Sequence, residues 1–238
     1  MSGTVVRRCT LAAVVAAVAV GAAARPMAAQ LEPTGRRRFD AALEVSAAEH
    51  RVEAGEGIER SAGALVRGEL RYALRSWLEL RGGGGAGRLA ARTDPAADRT
   101  VSELGVGAAV APLPWLELDA GTTVRRYASA LADQRGVRVH VGAETRVPLL
   151  GDGPRGDRLL GVVRAALLPV VSVTGQPGPG LALAAGTGLE AHRDRLSAAL
   201  AYSLERYDFP AVLRAHDGAR VRRLEQLSTV GVRLGVRF

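Results

Sequence analysis

The chain contains no lysine and no asparagine, one isoleucine (Ile58), one cysteine (Cys9) and nine aromatic residues in 238 positions. Each shortage excludes something. Cys9 precedes the first apolar run, in a segment that reads as removed, so the mature chain forms no disulfide and carries no thiol nucleophile. With so few aromatics and one Ile, a soluble β core is hard to fill. Beyond residue 37 there is no run of 18 or more apolar residues, which excludes a helical membrane protein. All 32 basic residues are arginine, a pattern that fits a GC-rich genome and makes the high pI weak evidence for a nucleic-acid partner. The arginines are dispersed along the chain, without a basic stripe bearing stacking aromatics, and no nucleic acid is expected.

Near the amino terminus, Arg7 and Arg8 precede an apolar run from Leu11 to Ala24, followed by Pro26 and small residues up to Ala29 and Gln30. This is the layout of a secretory signal peptide cleaved near Ala29, giving a signal at 1–29 and a short periplasmic segment at 30–37. Loss of Arg7, Arg8 and Arg25 leaves 29 arginines against 24 acids, a net charge of +5.

The rest of the chain alternates. In 137–147, Val137, Val139, Val141, Ala143, Thr145 and Val147 face one way, and Arg138, His140, Gly142, Glu144 and Arg146 the other. A period of two marks strands. Ten such segments occur, at about 38–49, 61–73, 78–91, 101–111, 116–127, 136–148, 159–173, 181–191, 196–207 and 220–238. Gly, Pro and Asp clusters separate them. Gly82 to Gly87 lacks the Lys-Ser/Thr ending of a phosphate loop and is expected to mark a bend or bulge. Connections near 75, 113 and 193 are short, whereas 50–60, 92–100 and 208–219 read as longer polar loops; 149–158, on the short side by parity, is the exception.

The last eleven residues, STVGVRLGVRF, place Val230, Val232, Leu234, Val236 and Phe238 on one face and Thr229, Gly231, Arg233, Gly235 and Arg237 on the other. A strand of this period ending on a carboxy-terminal Phe resembles the last strand of bacterial outer-membrane β-barrels. The resemblance implies an all-β, antiparallel, up-and-down transmembrane β-barrel spanning 38–238, of about ten strands, or eight or twelve if one hairpin is miscounted. It also implies a monomer in the outer membrane of a Gram-negative-type bacterium, contacting outer-membrane lipid, with the barrel assembly machinery reading the last strand. The five apolar residues of that strand then face lipid. Phe39, Tyr72, Trp77 and Trp115 are expected in a periplasmic aromatic girdle, and Tyr127, Tyr207 and Phe209 in an outer one.

On the barrel reading, the polar phase lines the lumen: Glu44, Arg67, Glu69, Arg71, Glu79, Arg81, Glu117, Asp119, Arg125, Arg138, His140, Glu144, Arg146, Arg164, Glu190, His192, Glu205, Arg233 and Arg237. Opposite charges held together in a narrow interior should pair. Barrels of this size are filled by their own side chains, so a salt-bridged plug with a structural or surface role is the first expectation. Small inward residues leave a pore or ligand barrel as an alternative: Gly105, Gly107 and Ala109 on one strand, and Ala182, Ala184, Gly186 and Gly188 on another. A membrane-embedded lipid-modifying enzyme is a further alternative, and a soluble periplasmic β-barrel or sandwich another. For an enzyme, His50, His140, His192 and His216 are the available bases, but none has a recognisable Ser motif beside it and no pair shows metal-ligand spacing. No catalytic residue and no cofactor is expected.

Overall fold

The computed structural model describes residues 38–55, 57–150, 158–174, 177–213 and 220–238. The expected signal peptide, the 30–37 segment and His216 lie outside the described residues. Ten strands run in sequence: β1 (Arg38–Ala54), β2 (Gly57–Arg75), β3 (Leu78–Ala91), β4 (Arg99–Leu113), β5 (Leu116–Ala128), β6 (Asp133–Leu150), β7 (Arg158–Val173), β8 (Leu181–Arg193), β9 (Leu196–Leu213) and β10 (Arg220–Arg237). Each pairs antiparallel with its neighbours, and β1 pairs with β10, so the sheet closes into a barrel without edges. The expected class and strand number both hold.

Closure follows from complementary alternation at the seam. Ala41, Leu43, Val45 and Ala47 stand opposite Val236, Leu234, Val232 and Val230. These residues share the outer face, where Leu43, Val45, Val230, Val232, Leu234 and Phe238 are exposed. The same holds around the barrel at Leu70, Leu104, Val106, Val163, Leu167 and Leu200. A protein that buries polar groups and exposes its aliphatic side chains as a continuous belt has the polarity of a membrane barrel. That belt is far larger than the scattered apolar residues of a soluble surface.

Two expectations about connections are corrected. Segments 50–60 and 208–213 are largely strand: β1 and β2 continue to a tight turn in which Gly55 has φ 62°, and β9 runs on to Leu213. Charge in the sequence suggested loops there, but ladder hydrogen bonds form equally well above the lipid, where outward residues meet water. The Gly82–Gly87 run is neither bend nor bulge, since β3 pairs in unbroken register with β4 from Leu78 to Leu89. Its glycines answer to close approach. A Cβ on Gly87 would collide with the Ala64 carbonyl oxygen, and one on Gly83 would lie 2.7 Å from the Gly68 oxygen.

Candidate functional site: the lumen

The inward phase builds three layers. In the middle layer, Arg67 on β2 meets Glu103 Oε1 at 2.5 Å and Glu44 Oε1 at 3.2 Å. Arg125 on β5 donates from Nε to Glu103 Oε2 at 2.8 Å, and from Nη1 and Nη2 to the two oxygens of Glu205 at 2.7 and 3.3 Å. Arg138 on β6 also pairs with Glu205 and donates to the Tyr207 hydroxyl at 3.0 Å, while Tyr207 donates to Glu205 at 2.8 Å. Three arginines and three glutamates thus join strands from both sides of the lumen. Charge-assisted, forked bonds of this kind offset the desolvation of the ions they tie together.

Toward the turns that join β2 to β3 and β4 to β5 lies a second layer. Arg71 pairs with Glu69 at 2.6 Å, and Arg81 with both Glu79 and Glu117 at 2.6 Å. Arg146 holds Glu144 at 2.6 Å and Glu117 at 3.5 Å, and Arg233 reaches Glu69 at 3.1 Å. His192 and Glu190 are 3.3 Å apart. His140 Nε2 and Arg164 Nη2 converge on Asp119 Oδ2 at 2.9 and 2.8 Å. Asp119 therefore orients His140, one half of a nucleophile-activating relay. Arg237 is the outlier of the expected lining: it sits at the barrel rim against Asp40, 3.1 Å away, with a half-exposed side chain.

The third layer, toward the β1–β2 turn, is mostly apolar. Ala48, Leu65, Leu89, Val101 and Leu227 form a buried cluster with Tyr127 packed against it. Leu168, Ala182, Tyr207 and Phe209 form another. This corrects the expected outer girdle. Tyr127, Tyr207 and Phe209 point inward, with Tyr207 9% and Phe209 4% exposed, because their odd numbers share the phase of Arg125 and Glu205. Above the first cluster, His50 stacks on Tyr127 with ring centroids 5.1 Å apart. Arg99 Nη1 lies 3.1 Å from His50 Nδ1 and Arg99 Nη2 binds Glu59 at 2.6 Å. Arginine can only donate, so Nδ1 accepts and the ring proton sits on Nε2, facing Glu225 at 3.6 Å.

The expected periplasmic girdle residues lie at the opposite end. Phe39 and Phe238 are in tilted contact at 5.9 Å, Trp115 is half-exposed and Tyr72 stands opposite Phe39.

No protein-family model matches the chain, and no curated protein matches it. Solved structures do. The translocator domain of the autotransporter NalP from Neisseria meningitidis is 14% identical over 96% of this chain and 98% of its own, with a TM-score of 0.44. The outer-membrane protease OmpT from Escherichia coli is 10% identical over 87% and 99%, at 0.49. Neisserial surface protein A is 13% identical over 83% and 97%, at 0.37. At these identities and TM-scores the likeness carries no argument about role. The closed ten-stranded antiparallel sheet with its outward aliphatic belt is by itself that of a membrane β-barrel.

Within it, the expected lining residues of β2, β3, β5, β6 and β9 do converge. Sequence reading missed Glu103, the hub of the middle layer, along with Glu59, Arg99, Arg223 and Glu225. The signal was present: Glu103 shares the phase of Gly105 and Gly107 on a strand that looked empty inside. That emptiness is nonetheless real lower down. A cavity of roughly 440 Å³ lies among Gly83, Gly105, Gly107, Ala184, Gly186 and Gly188 on small-residue walls and the arginines facing them.

Proposed function

We propose that this is a monomeric, non-enzymatic outer-membrane barrel that is closed by its own side chains and serves a structural or surface role. The observation that carries the reading is the Arg125 bridge, which ties Glu103 on β4 to Glu205 on β9. Directly above it, the Leu89 and Phe209 clusters fill the lumen with apolar side chains. Ions crossing would have to part paired charges and then pass a dry constriction, each step unfavourable. Barrels near this strand number are typically side-chain filled. We further propose that the assembly machinery engages the exposed Val230, Val232, Leu234 and Phe238 row of β10 during insertion.

The cavity below the bridge favours a second reading, a narrow pore or ligand-binding barrel. Single-channel recording in planar bilayers tests the pair. The plug reading expects silence from the wild type and intermittent steps from Arg125→Ala combined with Leu89→Ala. Steady conductance by the wild type, altered in size by Arg138→Ala or Glu117→Ala, would sink the plug and establish the pore.

A further inference from the structure

The lipid-facing rows change character most strongly at one end of the barrel. On β1, β2, β3, β5, β6 and β9 the outward phase runs through aliphatic residues and reaches arginine near the outer turns: Arg51, Arg60, Arg88, Arg126, Arg135 and Arg206. At the opposite end the outward rows of β1, β5, β9 and β10 finish on the apolar Phe39, Leu116, Leu196 and Val236. Arg75 and Arg193 also reach the outward face there, but they stand opposite Leu78 and Leu196 and not opposite another arginine.

The collar is arranged against its own electrostatics. Arg51 on β1 stands directly opposite Arg60 on β2, and Arg126 on β5 directly opposite Arg135 on β6. Like charges facing each other across a ladder destabilise it. Carboxylates relieve part of this: Glu53 holds Arg51 at 2.6 Å, Asp133 holds Arg126, Asp98 holds Arg88 at 3.0 Å, and Glu49 lies on the same face. The guanidinium groups of Arg60 and Arg135 make no ion pair or hydrogen bond among the described residues. Arg206 shares the face of Asp208, whose oxygens are bonded by Arg222. Arg51 also keeps a buried Nε with no hydrogen-bond partner.

We propose that this collar binds the phosphate groups of lipid headgroups in the outer leaflet. The inference rests on the membrane reading above. Guanidinium forks match phosphate bidentately and are weakly hydrated, which suits them to the edge of a bilayer better than lysine. Three features select a lipid over a soluble anion: the side chains project away from the lumen, they begin where the apolar belt ends, and they ring the barrel instead of forming one pocket. A phosphate between Arg51 and Arg60 would convert the cross-strand repulsion into two attractive contacts and lock the β1–β2 hairpin.

The test reconstitutes the full barrel in phosphatidylcholine vesicles with or without a minor fraction of bisphosphorylated lipid A, and separately with inorganic phosphate. The temperature at which the fast-migrating, folded band is lost on a detergent gel is read alongside lipid A retention by native mass spectrometry. Lipid A should raise the midpoint, inorganic phosphate should leave it unchanged, and Arg60→Gln with Arg135→Gln should weaken retention by about tenfold, as expected for lost charge-assisted contacts. The collar is refuted if the double variant retains lipid A as the wild type does, or if inorganic phosphate reproduces the shift. Should the double variant fail to fold, Arg206→Gln carries the same comparison on another strand. Absence of a folded band in phosphatidylcholine alone would overturn the membrane reading, and the collar with it.

Discussion

The Arg125 guanidinium donates to both carboxylate oxygens of Glu205, a residue 80 positions away on the far wall of the barrel. Glu103 takes the remaining edge of the same guanidinium at 2.8 Å. Cutting the bridge on one side strands a buried charge. Glu205→Ala is therefore expected to destabilise the barrel by about 3–5 kcal/mol, the range for breaking one side of a buried pair. The urea midpoint of the detergent-refolded protein measures it. An unchanged midpoint would show that water reaches this layer freely.

Leu89 is fully buried at the centre of the inner apolar cluster. Leu89→Ala should cost about 2–5 kcal/mol, because the rigid barrel wall prevents collapse into the vacated space. Leu104→Ala, on the lipid face and 67% exposed in the isolated chain, should cost well under half as much in the same unfolding assay. Equal losses would reverse the assignment of faces.

Glycines on the two faces should respond oppositely. A Cβ on Gly63 would run into the Arg88 carbonyl oxygen, and neither backbone can retreat without breaking the β2–β3 ladder. Gly68 and Gly82 have open space where a Cβ would go. Gly63→Ala should reduce the folded fraction on a heat-modifiability gel several-fold, while Gly82→Ala leaves it unchanged or raised. Equal tolerance at both positions would contradict the register.

Asp98, in the β3–β4 connection outside the spanning strands, accepts from the Ala91 backbone N–H at 2.9 Å and from Arg88 at 3.0 Å. Those two contacts, the backbone bond first, hold its carboxyl below the ordinary value of 3.8. A depressed folded pKa means that the stabilisation is complete above the unfolded pKa and lost as pH falls through the folded one. The Ala91 amide resonance should accordingly titrate with a midpoint below 3.8, and Asp98→Asn should remove the titration. A midpoint at or above 3.8 would mean that the contacts do not persist in solution.

Phe238 donates its backbone N–H to the Phe39 carbonyl at 2.8 Å, yet its ring is mostly exposed. Phe238→Ala should leave refolding into detergent intact while lowering the amount of protein inserted in the outer membrane, measured by fractionation. A matching loss of refolding yield would make the ring a stability element and not a recognition one.

How much was legible beforehand varies by residue. The terminal strand shows the strongest case: its period of two already assigned Val232 and Leu234 outward and Arg233 inward, and the barrel keeps both. Strand number was legible for the same reason, since each alternating run ends at a turn signal. Tyr127 and Tyr207 show the limit. Their phase pointed inward, but aromatics at strand ends suggested a girdle, and only the stacking of His50 and the hydroxyl contact to Glu205 settle the matter. Leu65 and Arg67 share one inward face, so no rule of polarity could have divided the lumen into a dry layer and a charged one.

By itself, then, the sequence determined the alternation of faces, a strand count of about ten and the apolar belt, because the pleat of a strand is local and alternation is written residue by residue. Only the tertiary structure decided which charges meet. Arg125 finds Glu205, and Arg51 faces Arg60, through the register of every ladder and the closure of β1 on β10. Closure brings opposite walls within reach of one guanidinium, and no spacing along the chain encodes that distance.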